Sequence, residues 1–485
     1  MLFNSLSFFL FFPIVTISYF LLPHRWRWLL LLVSSCFFYM FFIPAYILIL
    51  LFTIVLDYFL AIHIERLAGK KRRWLLWVSL ASNIGILAFF KYANFISANL
   101  NNLLDGLGLD YMVPYLSIIL PIGLSFHTFQ AMSYMIEVYW GNQKAERHLG
   151  IYALYVMFYP QLVAGPIERP QNLLHQFREK HNFDYQRVVG GLKLMAWGLF
   201  LKVVIADHLA LFVNQVFAQP GDYPSAVLLW AAIFFSFQIY CDFYGYSTIA
   251  IGAAQVMGFR LMKNFNHPYA ATSIREFWQR WHISLSTWFK DYVYIPLGGN
   301  KVSIPRWYVN TLLIFGLSGI WHGPSWMFLI WGLLHAFYII FGRISLPVRT
   351  RLYQKLGLSN FPKIHQFLKI VIVFSFVTIA WIFFRAENLP DAWYIISHIF
   401  TGWADSSSFM NIKAIAAETV FNKANMFLAI SYMIFLLAVE YVGRHFPDLA
   451  NKAGFYQRWL VYYLLIGSII FLGVWGQQQF IYFQF

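Results

Sequence analysis

From Trp307 to Gly342 the chain contains no Asp, Glu, Lys or Arg. A bilayer core takes about 20 apolar residues to cross as a helix, and lipid offers no partner to a bare backbone, so such a run has to hydrogen-bond to itself. Comparable windows recur at 6–22, 27–43, 45–62, 74–90, 114–137, 149–166, 190–218, 225–257, 310–342, 367–384, 425–441 and 459–476. Pro44 separates the second window from the third, since proline cannot donate to the helix ladder. With 60% apolar, 21% aromatic and only 11% charged residues, the composition is far from that of a soluble globular chain. The expectation is an all-α polytopic membrane protein, a single integral membrane domain over 1–485 with no room for a large soluble one.

The net charge of +15 is then not the footprint of a nucleic-acid partner. It sits in short loops, where Lys and Arg set topology from the cytoplasmic side. Loop 63–73 carries Arg66, Lys70, Lys71, Arg72 and Arg73 against Glu65 alone, and loop 343–369 is basic without an acid. Both are expected to be cytoplasmic. Loop 385–423 is close to balanced and the tail after Arg458 is uncharged, which puts both outside, and the N-terminus with them. Met1 to His24 lacks a basic n-region and a small-residue cleavage site and reads as a retained span. Cys36 and Cys241 lie in apolar runs, so neither a disulfide framework nor a cysteine metal site is suggested.

Loop 259–306 holds Arg260, Lys263, Arg275, Arg280, Lys290, Lys301 and Arg306 against Glu276 and Asp291, and so is also expected inside. Parity between it and loop 140–148 requires one intervening window to dip and return. The window 190–218, with Lys193, Lys202 and Asp207, is the expected one, because those charges are expensive in lipid. Parity applies again to 310–342, which is too long for one span and is interrupted at Gly323-Pro324. It is expected to enter and come back, with His322 at the break facing a cavity. Asp242, in "YCDFYGYS", is either the partner of a buried cation or a tunnel residue.

Thr272 to Asn300 reads "TSIREFWQRWHISLSTWFKDYVYIPLGGN". Ser273 and Glu276 form a capping-box pattern. Ile274, Phe277, Trp278, Trp281, Leu285, Trp288, Phe289 and Tyr292 fall on one helical face, and Arg275, Gln279, His282, Ser286 and Lys290 on the other. A basic, Trp-rich amphipathic helix of this kind belongs at the cytoplasmic interface. Its polar stripe would place His282 between two cations, or simply face water as an anchor.

His322 has a plain reading as a packing histidine bonded to a carbonyl. In a charge-free membrane run the functional reading is the better one, because intramembrane polar residues usually serve function. His127 and His335 are read as structural. Acyl transfer from a thioester to a hydroxyl needs a base that takes a proton and releases it, and imidazole suits that task near neutrality. An anionic donor would be drawn to the basic inner surface. No P-loop, GxGxxG, HExxH or G-x-S-x-G motif is present, so a covalent serine route has no motif behind it.

"EFWQRWHISLSTWFKDYVYIPLGGN" followed by "GLSGIWHGPSWMFLIWGLLHA" resembles the bacterial membrane-bound O-acyltransferase (MBOAT) family, nearest the membrane component of alginate and related polysaccharide O-acetylation systems. Supporting stretches are "FFKYANF", "LPIGLSFHTFQAMSYMIEVY", "YPQLVAGPIERP", "FLKVVIAD" and "WIFFRAENLPDA". The resemblance covers nearly the whole chain. It implies a ring of about 11–12 helices, some re-entrant, around a funnel joining the cytoplasm to the outside. It places the family's catalytic base on His322 and its second motif histidine on His282. Arg275 and Lys290 become candidate donor contacts. No cofactor or metal is implied. Acetyl-CoA is the expected donor substrate, and an extracytoplasmic polysaccharide or a periplasmic SGNH-type acetyltransferase the expected acceptor, in a bacterial cytoplasmic membrane. The chain departs from the family at "DFYGYST", where Tyr244 and Thr248 replace a serine and an acid, and at His127, where the family often has tyrosine. D-alanyl transfer from a carrier-protein thioester to teichoic acid is the alternative within the family, and a transporter or flippase the alternative from another class.

Overall fold

The computed structural model describes every residue except 119, 164, 402–422, 447, 449–451, 453, 477–479 and 484–485. The described residues are mainly helical and contain no strand. Helices α1 (Leu6–Leu21), α2 (His24–Met40), α3 (Ile47–Arg66) and α4 (Gly69–Gly106) match the first four apolar windows. Helix α5 (Leu124–Trp140) begins later than the window 114–137, because residues 109–118 form neither helix nor strand. Their backbone is held by two asparagines of α4: Asn94 both donates to and accepts from Leu116, at 2.9 and 2.8 Å, and Asn101 does the same for Val113, at 3.0 and 2.7 Å. Irregular backbone at membrane depth is stable only with partners of this kind.

The window that enters and returns is 149–166 rather than 190–218. Helix α6 (Leu149–Met157) has 9 residues, about 14 Å at 1.5 Å per residue, too short to cross. Phe158 then breaks the helix before Pro160, and the chain comes back. Its two flanks meet: Arg178 pairs with Glu146, while Arg147 pairs with Glu65 at the end of α3. The same face gathers Arg27 Nη1, 2.6 Å from the His181 carbonyl, and Gln176 Nε2, 3.0 Å from the Arg260 carbonyl.

Residues 185–218 instead form one continuous helix, α7 (Tyr185–Ala218), of 34 residues, with a π-helical segment Phe200–Ala206. Of the three charges in 190–218, two do not force a dip because they are paired inside the protein, and the third, Lys193, is exposed, over the Tyr462 ring. Lys202 Nζ lies 2.7 Å from Asp207 Oδ1 and 2.8 Å from Asp242 Oδ1, all three side chains buried. Asp242 belongs to α8 (Ser225–Met257), and of its two readings the structure selects partner of a buried cation.

The α7–α8 contact is made backbone to backbone by two glycine steps. A Cβ on Gly198 would stand 2.5 Å from the Gly245 carbonyl oxygen, and one on Gly191 would stand 2.7 Å from that of Gly252. Small residues at matched spacing are how membrane helices approach closely without a hydrophobic drive. Helix α8 is the enclosed stave of the structure, with 78% of its apolar window buried.

After α8 come two short helices, α9 (Ile274–Arg280) and α10 (Ile283–Phe289). The charge-free run forms a hairpin of α11 (Ile304–His322) and α12 (Trp326–Ile344), turning at Gly323-Pro324 as expected. Then follow α13 (Pro362–Arg385), the short helix Leu389–Ile399, α14 (Lys423–His445) and α15 (Phe455–Leu472). The expectation for loop 385–423 rests mainly on 402–422, outside the described residues. Eight of the described helices are long and apolar enough to cross a bilayer, so the chain is a multi-pass membrane protein.

Candidate active site

Close packing sets the position of the hairpin turn. A Cβ on Gly319 would lie 2.4 Å from the Phe328 carbonyl oxygen, and one on Gly332 would lie 2.2 Å from that of Phe315. The arms of α11 and α12 therefore meet backbone to backbone one turn before the break. Pro324 has no N–H to continue the helix, and Ser325 starts the return arm by accepting from Met327 N at 3.2 Å.

His322 is the last residue of α11, and its side chain is buried. Its Nδ1 lies 2.6 Å from the Ser318 carbonyl oxygen. A carbonyl only accepts, so this contact assigns the ring proton to Nδ1 and leaves Nε2 with a lone pair. The contact also fixes the orientation of the ring. Trp321, Trp331, Phe384 and Tyr482 surround it, with ring centroids at 4.8, 4.7, 5.6 and 5.9 Å.

His282 does not lie on a polar surface stripe. The amphipathic stretch is two helices rather than one, broken at Trp281-His282, and His282 has φ of 43°, in the left-handed region. Non-glycine residues held there store on the order of 1–3 kcal/mol and persist where surrounding contacts fix them. Here Ile283 N donates to the Asn264 carbonyl at 2.9 Å and Ser284 Oγ to Asn264 Oδ1 at 2.6 Å. Ser284 Oγ in turn accepts from Ile167 N at 3.0 Å. The break turns the imidazole inward, fully buried, with the Phe243 ring 4.6 Å away. Neither of its ring nitrogens has a hydrogen-bond partner among the described residues. The apolar face behaves as expected: Phe277, Trp281, Leu285, Trp288 and Tyr292 are all buried. The cap forms in a shifted version, with Ser273 Oγ accepting from Glu276 N and the Glu276 carboxylate accepting from Thr272 N rather than from Ser273.

The two histidines are brought together by shared neighbours. His282 lies 6.1 Å from Trp321 and 6.2 Å from Tyr482, the rings that also pack on His322. Tyr482 comes from the C-terminal stretch, where Ile481 N donates to Asp242 Oδ2 at 2.7 Å. His322, Trp321, Tyr482, Phe126, Ser125 and Lys91 are among the walls of a chamber of about 50 Å³. A wider cavity of about 590 Å³ adjoins it, walled by Phe89, Asn94, Phe95, Pro324, Ser325 and Phe328 among others, and Lys91 and Leu120 border both.

Arg275 and Lys290 are not part of this assembly. Both are exposed, neither borders the chamber, and Lys290 Nζ stands 4.0 Å from Asp291. His335 is buried against Trp278 and Trp331, at 5.0 and 5.2 Å, and likewise lines neither cavity. Two chamber residues went unread in the sequence. Lys91 carried a signal, a lone cation directly after the apolar window 74–90. Tyr482, in a short aromatic tail without periodicity, carried none.

The model of the membrane-bound O-acyltransferase family matches residues 148–387, a range that includes both His282 and His322. The chain is 39% identical to the probable alginate O-acetylase AlgI of Pseudomonas aeruginosa, over 83% of this chain and 75% of that protein. It is 37% identical to a peptidoglycan O-acetyltransferase of Helicobacter pylori, over 81% of this chain and 78% of the relative. A teichoic acid D-alanyltransferase of Streptococcus thermophilus is more distant, 27% identical over 56% of this chain and 70% of its own length.

Proposed function

The chain belongs to the membrane-bound O-acyltransferase family, and on that footing we propose that this O-acyltransferase moves acetyl from acetyl-CoA at the cytoplasmic face to an extracytoplasmic polysaccharide, directly or through a periplasmic SGNH-type partner. The observation that carries the reading is His322: a buried imidazole at a helix break, its Nδ1 committed to the Ser318 carbonyl, bordering a small chamber. His322 Nε2 takes the proton of the acceptor hydroxyl as that oxygen attacks the thioester carbonyl, then returns it to the departing thiolate. His282, without a polar partner of its own, orients the donor or assists the leaving thiolate. Arg275 and Lys290, exposed on the basic face, hold the anionic donor outside the chamber as it approaches. That face is cytoplasmic, because it carries the basic loops 63–73 and 259–306; both termini lie outside, in a bacterial cytoplasmic membrane.

The test is CoA release from acetyl-CoA by wild-type and His322→Ala protein in lipid nanodiscs, with folding checked in both. Saturable release that disappears in the variant supports the reading, and equal release removes the base assignment. The similarity to a D-alanyltransferase favours one second reading, transfer from a carrier-protein thioester to teichoic acid. Turnover with an aminoacyl carrier protein and none with acetyl-CoA would select it.

A further inference from the structure

Lys91 lies far along α4, buried to 8% exposure, in a wall shared by the chamber and the wider cavity. Its Nζ is 2.8 Å from the Trp321 carbonyl oxygen and 2.9 Å from that of His322. These are terminal carbonyls of α11, which no residue of that helix can satisfy and which carry the negative end of the helix dipole. An ammonium has three N–H donors, so this arrangement uses two and leaves one. Among the described residues no other wall residue of the chamber is a lysine or arginine.

Acyl transfer places negative charge on the carbonyl oxygen of the thioester, and a fixed donor in a dry site is usually the largest stabilising influence on it. Taking His322 as base, as in the preceding reading, the chamber holds a lone pair for the hydroxyl proton but needs a donor for that oxyanion. We propose that Lys91 is a catalytic residue of the transfer: the ammonium that closes the end of α11 also gives its remaining N–H to the oxyanion at the acyl carbon. The acceptor oxygen bonds to the acyl carbon while its proton passes to His322 Nε2. The carbonyl π pair moves onto oxygen, against Lys91. On collapse that pair re-forms the carbonyl, the C–S bond breaks, and the thiolate takes the proton from His322. Because its other two N–H groups grip the backbone of Trp321 and His322, the donor is held in register with the base.

The experiment compares wild type, His322→Ala, Lys91→Met and Lys91→Gln in nanodiscs. It measures kcat and KM for acetyl-CoA and the inhibition constant of a trifluoromethyl-ketone analogue of acetyl-CoA that forms a tetrahedral adduct. Lys91→Met is expected to lower kcat by about 10²–10³-fold with little change in KM. The analogue should weaken in step with kcat/KM, since only the tetrahedral state meets the third N–H. Should the methionine variant not fold, Lys91→Gln, a neutral side chain still able to donate to a carbonyl, carries the test with kcat at least about tenfold down. A folded variant with wild-type kcat, or with reduced kcat but unchanged analogue affinity, overturns the proposal. In those cases an inactive His322→Ala leaves the reading of the base intact. Release by His322→Ala equal to wild type, or no release by wild type, removes the reading itself and the proposal with it.

Discussion

Of the polar groups buried inside the helical body, two are finished in opposite ways. Around Lys202 the polar groups serve one another: the ammonium meets Asp207 and Asp242, and Asp242 receives Ile481 N as well. Around His322 they do not. His282 has two ring nitrogens without partners, and Lys91 closes two carbonyls and keeps a donor. Burying polar groups is tolerable when they are paired and costly when they are not. Charges paired in this way are architecture; the polar groups left incomplete around His322 are the ones that the proposed reaction uses.

The sharpest way to break this contrast is to exchange its consequences. His322→Ala should lower CoA release by at least about 10²–10⁴-fold, while the melting temperature in detergent stays near wild type; a large loss of folded protein would place His322 with the architecture. Lys202→Met should do the reverse. It leaves two carboxylates buried without their cation, a loss of about 3–5 kcal/mol, and the yield of monodisperse protein should collapse. Adding Asp207→Asn and Asp242→Asn should restore part of that yield, because no buried charge is then left unpaired. A smaller effect is expected at the α7–α8 contact. Gly198→Ala puts a methyl group 2.5 Å from a carbonyl oxygen, and overpacking of this kind costs about 1–3 kcal/mol, read as a lower melting temperature with kcat preserved in the folded fraction. The smallest belongs to His335, buried like His322 but without ring hydrogen bonds and away from both cavities. His335→Phe should cost less than about 1.5 kcal/mol and leave turnover essentially unchanged. A dead His335→Phe enzyme would mean that burial, rather than access to the chamber, distinguishes the working histidine.

Much of this architecture could be read along the chain, because membrane spans announce themselves locally. The window 225–257 and helix α8 share both ends, and the turn of 310–342 falls at the Gly-Pro where it was expected. What failed depended on contacts far apart in sequence. Lys202 and Asp207 looked like a reason for α7 to turn back because their third partner, Asp242, stands 35 or more positions away. The dip lies at 149–166, which has no charge to advertise it. The break at His282 escaped for a different reason: the apolar face stays buried on both sides of the left-handed residue, so a 3.6-residue pattern runs through it undisturbed. Both motif histidines could be named from sequence. Their meeting across Trp321 and Tyr482 could not, since one wall of the chamber comes from the far end of the chain.

The size of that chamber has an electrical consequence. A space of about 50 Å³ admits an acyl group but not a nucleotide with its phosphates. In the proposed reaction the charged part of the donor therefore stays on the side from which it came, and what passes through is neutral. Moving one elementary charge through a membrane potential is worth about 2.3 kcal/mol per 100 mV; moving an acetyl group is worth nothing. Export of acetyl by this route neither draws on the potential nor dissipates it, and it should run equally well in energised and depolarised membranes.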